Sequence, residues 1–390
     1  MKGVGSENIA ARRDWWRLVA ATVAFFFGFG IYSGVLANFL NETLHLERLQ
    51  LGQLEALREV PGLLAAGMVG ALAWLPEPRL AALATALTGL GVAALGHAQN
   101  FAQAVAYSIL ASAGLHIWLT VQPALIMVMA PAHRQGYRLG LMNAYQSAAM
   151  LAGLAFVVLV GRWLAFSAEF GIAGAAMLAG ALFAVRISRD RGGGLQRRLL
   201  FERKYALYYL LSLLDGGRRQ VIATFNVFIL VREFGVRIEW IAFMLLLNTS
   251  LMLLAARHAG AWTDRVGERR SLSVYYIGVA LVFALYTQVP TGAPILFCLL
   301  YAVDNLLFTL AVGITTYARH VASQRDLSST LAMGLTMNHV TAVTVPLAAG
   351  WIWQHLGYQK IYLAGVGVAL LALLACRLIP PAVPKIELRA

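Results

Sequence analysis

Charge is what this sequence has least of. Only 13% of its 390 residues are Asp, Glu, Lys or Arg, against 60% hydrophobic ones, where soluble domains carry about 25% and 45–50%. That balance excludes a disordered chain and an ordinary cytosolic enzyme. Cysteine is almost missing too. Cys298 and Cys376 both lie in apolar stretches, so neither a disulfide framework nor a metal knuckle can be assembled. No Gly-x4-Gly-Lys-Ser/Thr loop occurs, which removes nucleotide-driven machinery. No carboxylates and histidines stand at metal-ligand spacing, and no nucleophile stands out beside a base. The chain is therefore not expected to be an enzyme, nor to need a cofactor or a metal.

Long apolar runs are what it has in abundance. A membrane-spanning helix takes about 20 mainly apolar residues. Twelve such stretches lie near 16–40, 51–75, 79–98, 101–130, 139–163, 166–187, 205–231, 238–259, 271–289, 294–318, 329–354 and 358–379. Breaks such as Pro76-Glu77-Pro78 and Pro290 to Pro294 separate them. A membrane barrel would instead alternate in polarity over ~10-residue strands. The predicted fold is an all-α membrane protein of twelve transmembrane helices.

Lys and Arg give the orientation. With the N-terminus inside, 23 of the 31 fall on the inner side, five on the outer, and Arg58, Arg218 and Arg219 within the runs. Positively charged loops stay inside, so both termini are expected to be cytoplasmic. The protein is expected to be integral and multi-pass in the plasma (inner) membrane. The net charge of +13 is then a topological address with anionic lipid as neighbour, and no nucleic acid is expected as a partner.

The longest inner break, 188–204, contains Arg191-Gly192-Gly193-Gly194, a flexible composition. It divides the runs six and six: an N-terminal half 1–187, a cytoplasmic linker 188–204 and a C-terminal half 205–390. The segment from Gly70 through Trp74 to Arg79 comes after the second run. The segment from Gly260 through Asp264 to Arg269 comes after the eighth, with glycine, alanine and arginine in register. The halves are read as pseudo-symmetric repeats.

The Gly-x-x-x-Asp-Arg-x-Gly-x-Arg pattern of Gly260, Asp264, Arg265, Gly267 and Arg269, with the six-plus-six plan and basic linker, resembles the major facilitator superfamily. The resemblance covers nearly the whole chain. It implies a secondary active transporter whose halves enclose a central cavity, lined by the first, fourth, seventh and tenth helices and opened alternately to either side. It assigns Gly260–Arg269 to the cytoplasmic gate. There Gly260 would permit close helix approach and Asp264 and Arg265 would make charged contacts; a tight solvated turn is the alternative. The sequence departs from the family pattern at Trp74, where the motif has Asp, and at Glu268, where a basic residue is usual. The fifth run also lacks the Gly-Pro-x-x-Gly-Gly that similar drug/proton antiporters often carry.

Nine ionisable side chains stand out within the runs: Glu55, Arg58, Glu59, His116, Asp215, Arg218, Arg219, Asp304 and His339. A charge facing lipid costs ~2.5–3.5 kcal/mol, so these are expected to face a cavity or one another. Asp215, Arg219, Ile222 and Asn226 share a helical face, and Asp215 can pair with Arg218 or Arg219 at i+3 or i+4. Tyr301, Asp304, Phe308 and Thr315 form a second stripe, and Ser112, His116 and Thr120 a third. The resemblance puts all three on the cavity. Glu55, Arg58 and Glu59, nearer the outer end of the second run, read as an ion-pair network holding the halves together. Asn143, Tyr145 and Gln146 offer hydrogen bonds to a solute, and His339 is either a proton carrier or a packed histidine.

The leading expectation is proton-coupled transport of a small solute by a monomer, with Asp215 and Asp304 as proton sites. Arg218 or Arg219 would hold an anionic or carboxylate-bearing solute, although a metal ion, sugar, peptide or drug-like amphiphile also fits. Asp304 is expected to stand apart from the arginines, because Asp215 offers them a partner on their own helix. The alternatives are a uniporter or drug-type exporter, and a transporter-derived sensor or scaffold without flux.

Overall fold

The computed structural model describes residues 4–72, 74–130, 135–189, 201–323 and 326–380. Residues 190–200 of the predicted linker, with its Arg191–Gly194 run, lie outside the described residues. Among those described there is no strand, and helices cover all twelve apolar stretches. The first seven are α1 (Val4–Glu42), α2 (Arg48–Leu63), α3 (Ala65–Ala71), α4 (Glu77–Leu95), α5 (Phe101–Met129), α6 (Gln135–Val160) and α7 (Phe166–Ala184). The remainder are α8 (Ala206–Gln220), α9 (Asn226–Arg232), α10 (Ile238–Val266), α11 (Glu268–Tyr286), α12 (Pro294–Phe308), α13 (Val312–Val321), α14 (Leu327–Leu356) and α15 (Tyr358–Cys376).

Among the described residues, nine helical segments are long and apolar enough to cross a membrane. The other three stretches differ for visible reasons. The stretch at 51–75 is interrupted at Leu64, three residues after Pro61, giving α2 and α3. A π-helical turn, Val221–Phe225, separates α8 from α9. The third, α11, opens on the polar run Glu268-Arg269-Arg270. Large aliphatic side chains stand outward, with Leu159, Leu254 and Leu374 each at least 66% exposed. Helices satisfy their own backbone groups, so such surfaces belong in hydrocarbon. The chain is an integral, multi-pass, all-helical membrane protein.

Two compact units form, Met1–Gln196 with Gly235–Thr249, and Arg197–Phe234 with Ser250–Ala390. In the first, α1 packs on α6 and α7, α4 on α5 and α7, and α2 on α5. Lipid gives helices no hydrophobic drive to associate, so close contact at small residues matters. A Cβ built on Gly30 of α1 would lie 3.1 Å from the Cα of Gly153 on α6, and the reverse distance is 3.0 Å. In the second unit α8 packs on α14 and α15, and α11 on α15 and α12.

Candidate functional site

The second unit buries an ion pair whose two residues are far apart in sequence. Arg218, in the last turn of α8, donates from Nη2 to Oδ2 of Asp304 on α12 at 2.8 Å. Their side chains are 2% and 1% exposed. The guanidinium carbon lies 5.4 Å from the Tyr275 ring centre and 5.2 Å from that of Phe308, within cation–π reach of both rings. The pair is incompletely satisfied: Nε of Arg218 and Oδ1 of Asp304 are buried without a hydrogen-bond partner among the described residues. The expectation that Asp304 stands apart from the arginines is overturned. Asp215, one turn before Arg218, instead accepts from the Tyr275 hydroxyl at 2.6 Å, which leaves the guanidinium to reach across to α12.

Asp215 also lines an open cavity of about 470 Å³ bordered by α8, α10, α12, α13 and α14. Tyr208, Ser212, Phe308, Thr315 and Asn338 share that lining. Two glycines let these helices close in. A Cβ on Gly216 would meet the Asn338 and Thr341 side chains at 2.5 Å, and one on Gly334 would collide with the Tyr208 ring. Phe308 and Thr315 line this cavity, while Tyr301 and Asp304 of the same sequence stripe are buried outside the lining.

The π-helical turn changes the other stripe. Residues 215 and 226 are three α-helical turns apart, but one residue inserted at Val221–Phe225 rotates α9 by roughly 100° relative to α8. Asn226 therefore leaves the Asp215 face. It is fully buried, donates to the Tyr286 hydroxyl at 2.7 Å and accepts from the Tyr362 hydroxyl at 2.7 Å. Both ends of its amide are held by protein, which makes it a strut between α9, α11 and α15. Arg219 is exposed and is not part of the cavity lining. His339 is half-buried on α14, next to Asn338.

In the first unit, His116 bonds through Nδ1 to the Ser112 carbonyl at 2.9 Å and to its hydroxyl at 3.1 Å, and Thr120 donates to the His116 carbonyl at 2.9 Å. Its Nε2 lies 3.8 Å from Glu59. Arg58 pairs with Glu55 at 3.1 Å, as their spacing suggested, and donates to Tyr32 at 3.1 Å, which ties α2 to α1 of the same unit. Gln146 donates to Gln122, which donates to Thr22, at 3.0 and 3.1 Å. Asn143 is exposed.

At the predicted gate, α10 ends at Val266 and α11 begins at Glu268, with Gly267 between them at φ +82° and ψ 159°. Only glycine adopts that backbone freely. Thr263 and Ser271 share a hydrogen bond of 2.8 Å across the turn, and Glu268 meets His320 at 2.9 Å. Asp264 and Arg265 are exposed and Arg269 half-buried. The close helix approach expected at Gly260 is not there, since a Cβ added to it would meet nothing within 4 Å.

Two features escaped the sequence reading. Tyr275 and Tyr276 of α11 enclose Arg218 and Asp215, and adjacent tyrosines inside an apolar run were the available signal. Glu169 of α7 is fully buried, and neither carboxylate oxygen has a hydrogen-bond partner among the described residues. It lies only four residues into its helix, where a carboxylate reads as a span end.

Helices that divide into two units, face outward with leucine and hold a charged pair beside a cavity define a multi-pass membrane protein with a polar site among its spans. Residues 208–389 match the family model described as Major Facilitator Superfamily. The Gly260–Arg269 segment that carries the sequence resemblance lies within the matched residues. Solved structures share the fold. The nucleoside transporter NupG has TM-score 0.77 and 14% identity, over 93% of this chain and 98% of that one. The D-xylose-proton symporter has TM-score 0.67 and 16% identity, over 94% and 98%. The peptide transporter POT in complex with sulfate has TM-score 0.75 and 13% identity, over 94% of both chains. At such identities the likeness is one of fold. Comparison with curated protein sequences gives no match.

Proposed function

We propose that this chain is a secondary active transporter, and not an enzyme, that moves a small solute across the plasma (inner) membrane. In this reading two six-helix halves, 1–187 and 205–390, joined by 188–204 and with both termini cytoplasmic, work by alternating access. The observation that carries it is the buried Arg218–Asp304 pair beside a cavity lined by Asp215. Ionisable groups inside a membrane are costly and mark pathways for solutes and ions. The fold is shared with a nucleoside transporter, a xylose-proton symporter and a peptide transporter, which supports the same class of work here.

The sequence has no loop for a nucleotide, which leaves an ion gradient or the solute's own gradient as the drive, and the proton is the coupling ion proposed. A proton on Asp304 cancels its charge and leaves Arg218 without its counter-ion, so protonation and movement of α8 against α12 become linked. In liposomes, Asp304→Asn is expected to abolish uphill, proton-driven accumulation while leaving solute-for-solute exchange largely intact. Accumulation at normal rates by that variant would move the proton site to Asp215 or His339. Absence of any flux in the unaltered protein would favour a sensor or scaffold. The topology has its own check: cysteines placed at Lys360 and in 188–204 should label from opposite sides of the membrane, and labelling from one side would overturn it.

A further inference from the structure

We infer that the cavity of the second unit takes a solute bearing a protonated amine, with Asp215 as its counter-ion. The inference rests on the transport reading only in saying that the solute is carried; the binding chemistry stands separately.

The charges near the cavity decide its sign. Asp215 is the only carboxylate in the lining, and no lysine, arginine or histidine accompanies it among the described residues. Arg218, the cation nearest in sequence, is already bound to Asp304 and closed between the Tyr275 and Phe308 rings. Arg219 is exposed and outside the lining. With Arg218 taken by Asp304, the Asp215 carboxylate meets the cavity with no ion pair of its own among the described residues. The Tyr275 hydroxyl bonds to Asp215 as a neutral donor, so it orients the carboxylate without cancelling it.

An anionic solute would meet Asp215 with no free cation to hold it, and would have to displace Asp304 from Arg218. An ammonium group meets the reverse. Asp215 supplies the ion pair, and Phe308 and Tyr208 offer ring faces to a cation. Ser212 and Asn338 supply acceptors for the remaining N–H groups. Met252, Leu331 and Leu335 make the rest of the wall apolar, which suits an amine on a hydrocarbon or aromatic body. A volume of about 470 Å³ lies in the range of small-molecule sites, roughly 300–1,000 Å³.

The test uses matched triplets on the purified full-length protein. They are tryptamine, tryptophol and indole-3-propionate; 2-phenylethylamine, 2-phenylethanol and 3-phenylpropionate; and octylamine, octanol and octanoate. The readout is the shift in melting temperature against concentration. The amine of at least one triplet is expected to bind at least tenfold more tightly than its alcohol and its acid. That preference should vanish in Asp215→Asn and persist in Asp215→Glu, which keeps the charge should the asparagine variant fold poorly. Preference for an acid, an equal response in Asp215→Asn, or no response to any triplet overturns the inference. Uptake of radiolabelled amine into liposomes separates the two readings. An amine that binds but never crosses refutes transport and keeps the cation site. Flux of an acid or a neutral solute does the opposite.

Discussion

The two units bury charge in opposite ways. In the first, Arg58 and Glu55 sit one turn apart on α2, with Arg58 still 25% exposed. In the second, Arg218 and Asp304 come from α8 and α12, 86 residues apart, and are sealed. A pair on one helix survives any movement of that helix. A pair between two helices is made or broken when they move, and losing one partner strands the other away from water. The first arrangement steadies a helix, and the second couples charge to packing.

The largest effect that would sharpen this contrast is removal of one partner. Asp304→Ala leaves Arg218 buried and unpaired, which is expected to cost about 3–5 kcal/mol. Glu55→Ala releases an arginine that retains solvent and Tyr32, and a loss of about 1 kcal/mol is expected. Denaturant unfolding of the two variants in detergent measures both, and equal losses would dissolve the distinction. Replacing both partners, as Arg218→Met with Asp304→Leu, should recover most of the stability. It should not recover uphill accumulation.

A middle-sized effect separates Gly260 of α10 from Gly267 of the α10–α11 turn. Gly267 has φ +82° and ψ 159°, a conformation that costs a side chain about 1–3 kcal/mol. Gly260 stands in a helix with open space around it, so alanine there should be neutral or stabilising by up to about 1 kcal/mol. Melting temperatures of Gly267→Ala and Gly260→Ala are expected to move in opposite directions or by clearly different amounts. A large loss at Gly260 would restore the close approach that the sequence suggested.

What was legible in the sequence was local. Apolar runs located the nine helical segments long and apolar enough to cross a membrane, because length and hydropathy are properties of neighbouring residues. Glu55 and Arg58 could be paired from their spacing alone, since i and i+3 meet on any helix. Arg218 offered two partners at sequence level, Asp215 nearby and Asp304 far away. Choosing between them required knowing how α8 and α12 are rotated and that Tyr275 of α11 reaches Asp215. Asn226 was placed on the wrong face because no pattern in Val221–Phe225 announces a π-helical turn. Gly260 was given a packing role by its place in a motif, and motif position carries no distance.

The smallest effect belongs to the surface contact that the buried pair should be measured against. Asp326, just before α14, accepts from Lys204 Nζ at 3.1 Å and from the Tyr205 hydroxyl at 2.9 Å. The Lys204 bond first, and the Tyr205 bond after it, hold the Asp326 carboxyl below its ordinary value of 3.8. The same contact, led by the Asp326 bond, raises the Lys204 ammonium above its ordinary 10.5. A lowered carboxylate adds stability above its unfolded value and loses it as pH falls through the folded one. A raised ammonium adds stability below its unfolded value and loses it as pH rises through the folded one. The contact is therefore intact across neutral pH and fails first in acid, below about pH 4. Asp326→Asn is expected to lower the melting temperature at pH 7 by less than Gly267→Ala does. That deficit should shrink as pH falls below about 4 and shrink in about 1 M salt, where screening reaches within ~3 Å. The Asp304→Ala deficit should not respond to salt, because no counter-ion reaches the Arg218 side chain, 2% exposed. If salt relieves both deficits alike, the Arg218–Asp304 pair is in contact with water, and the contrast between sealed and steadying charge fails with it.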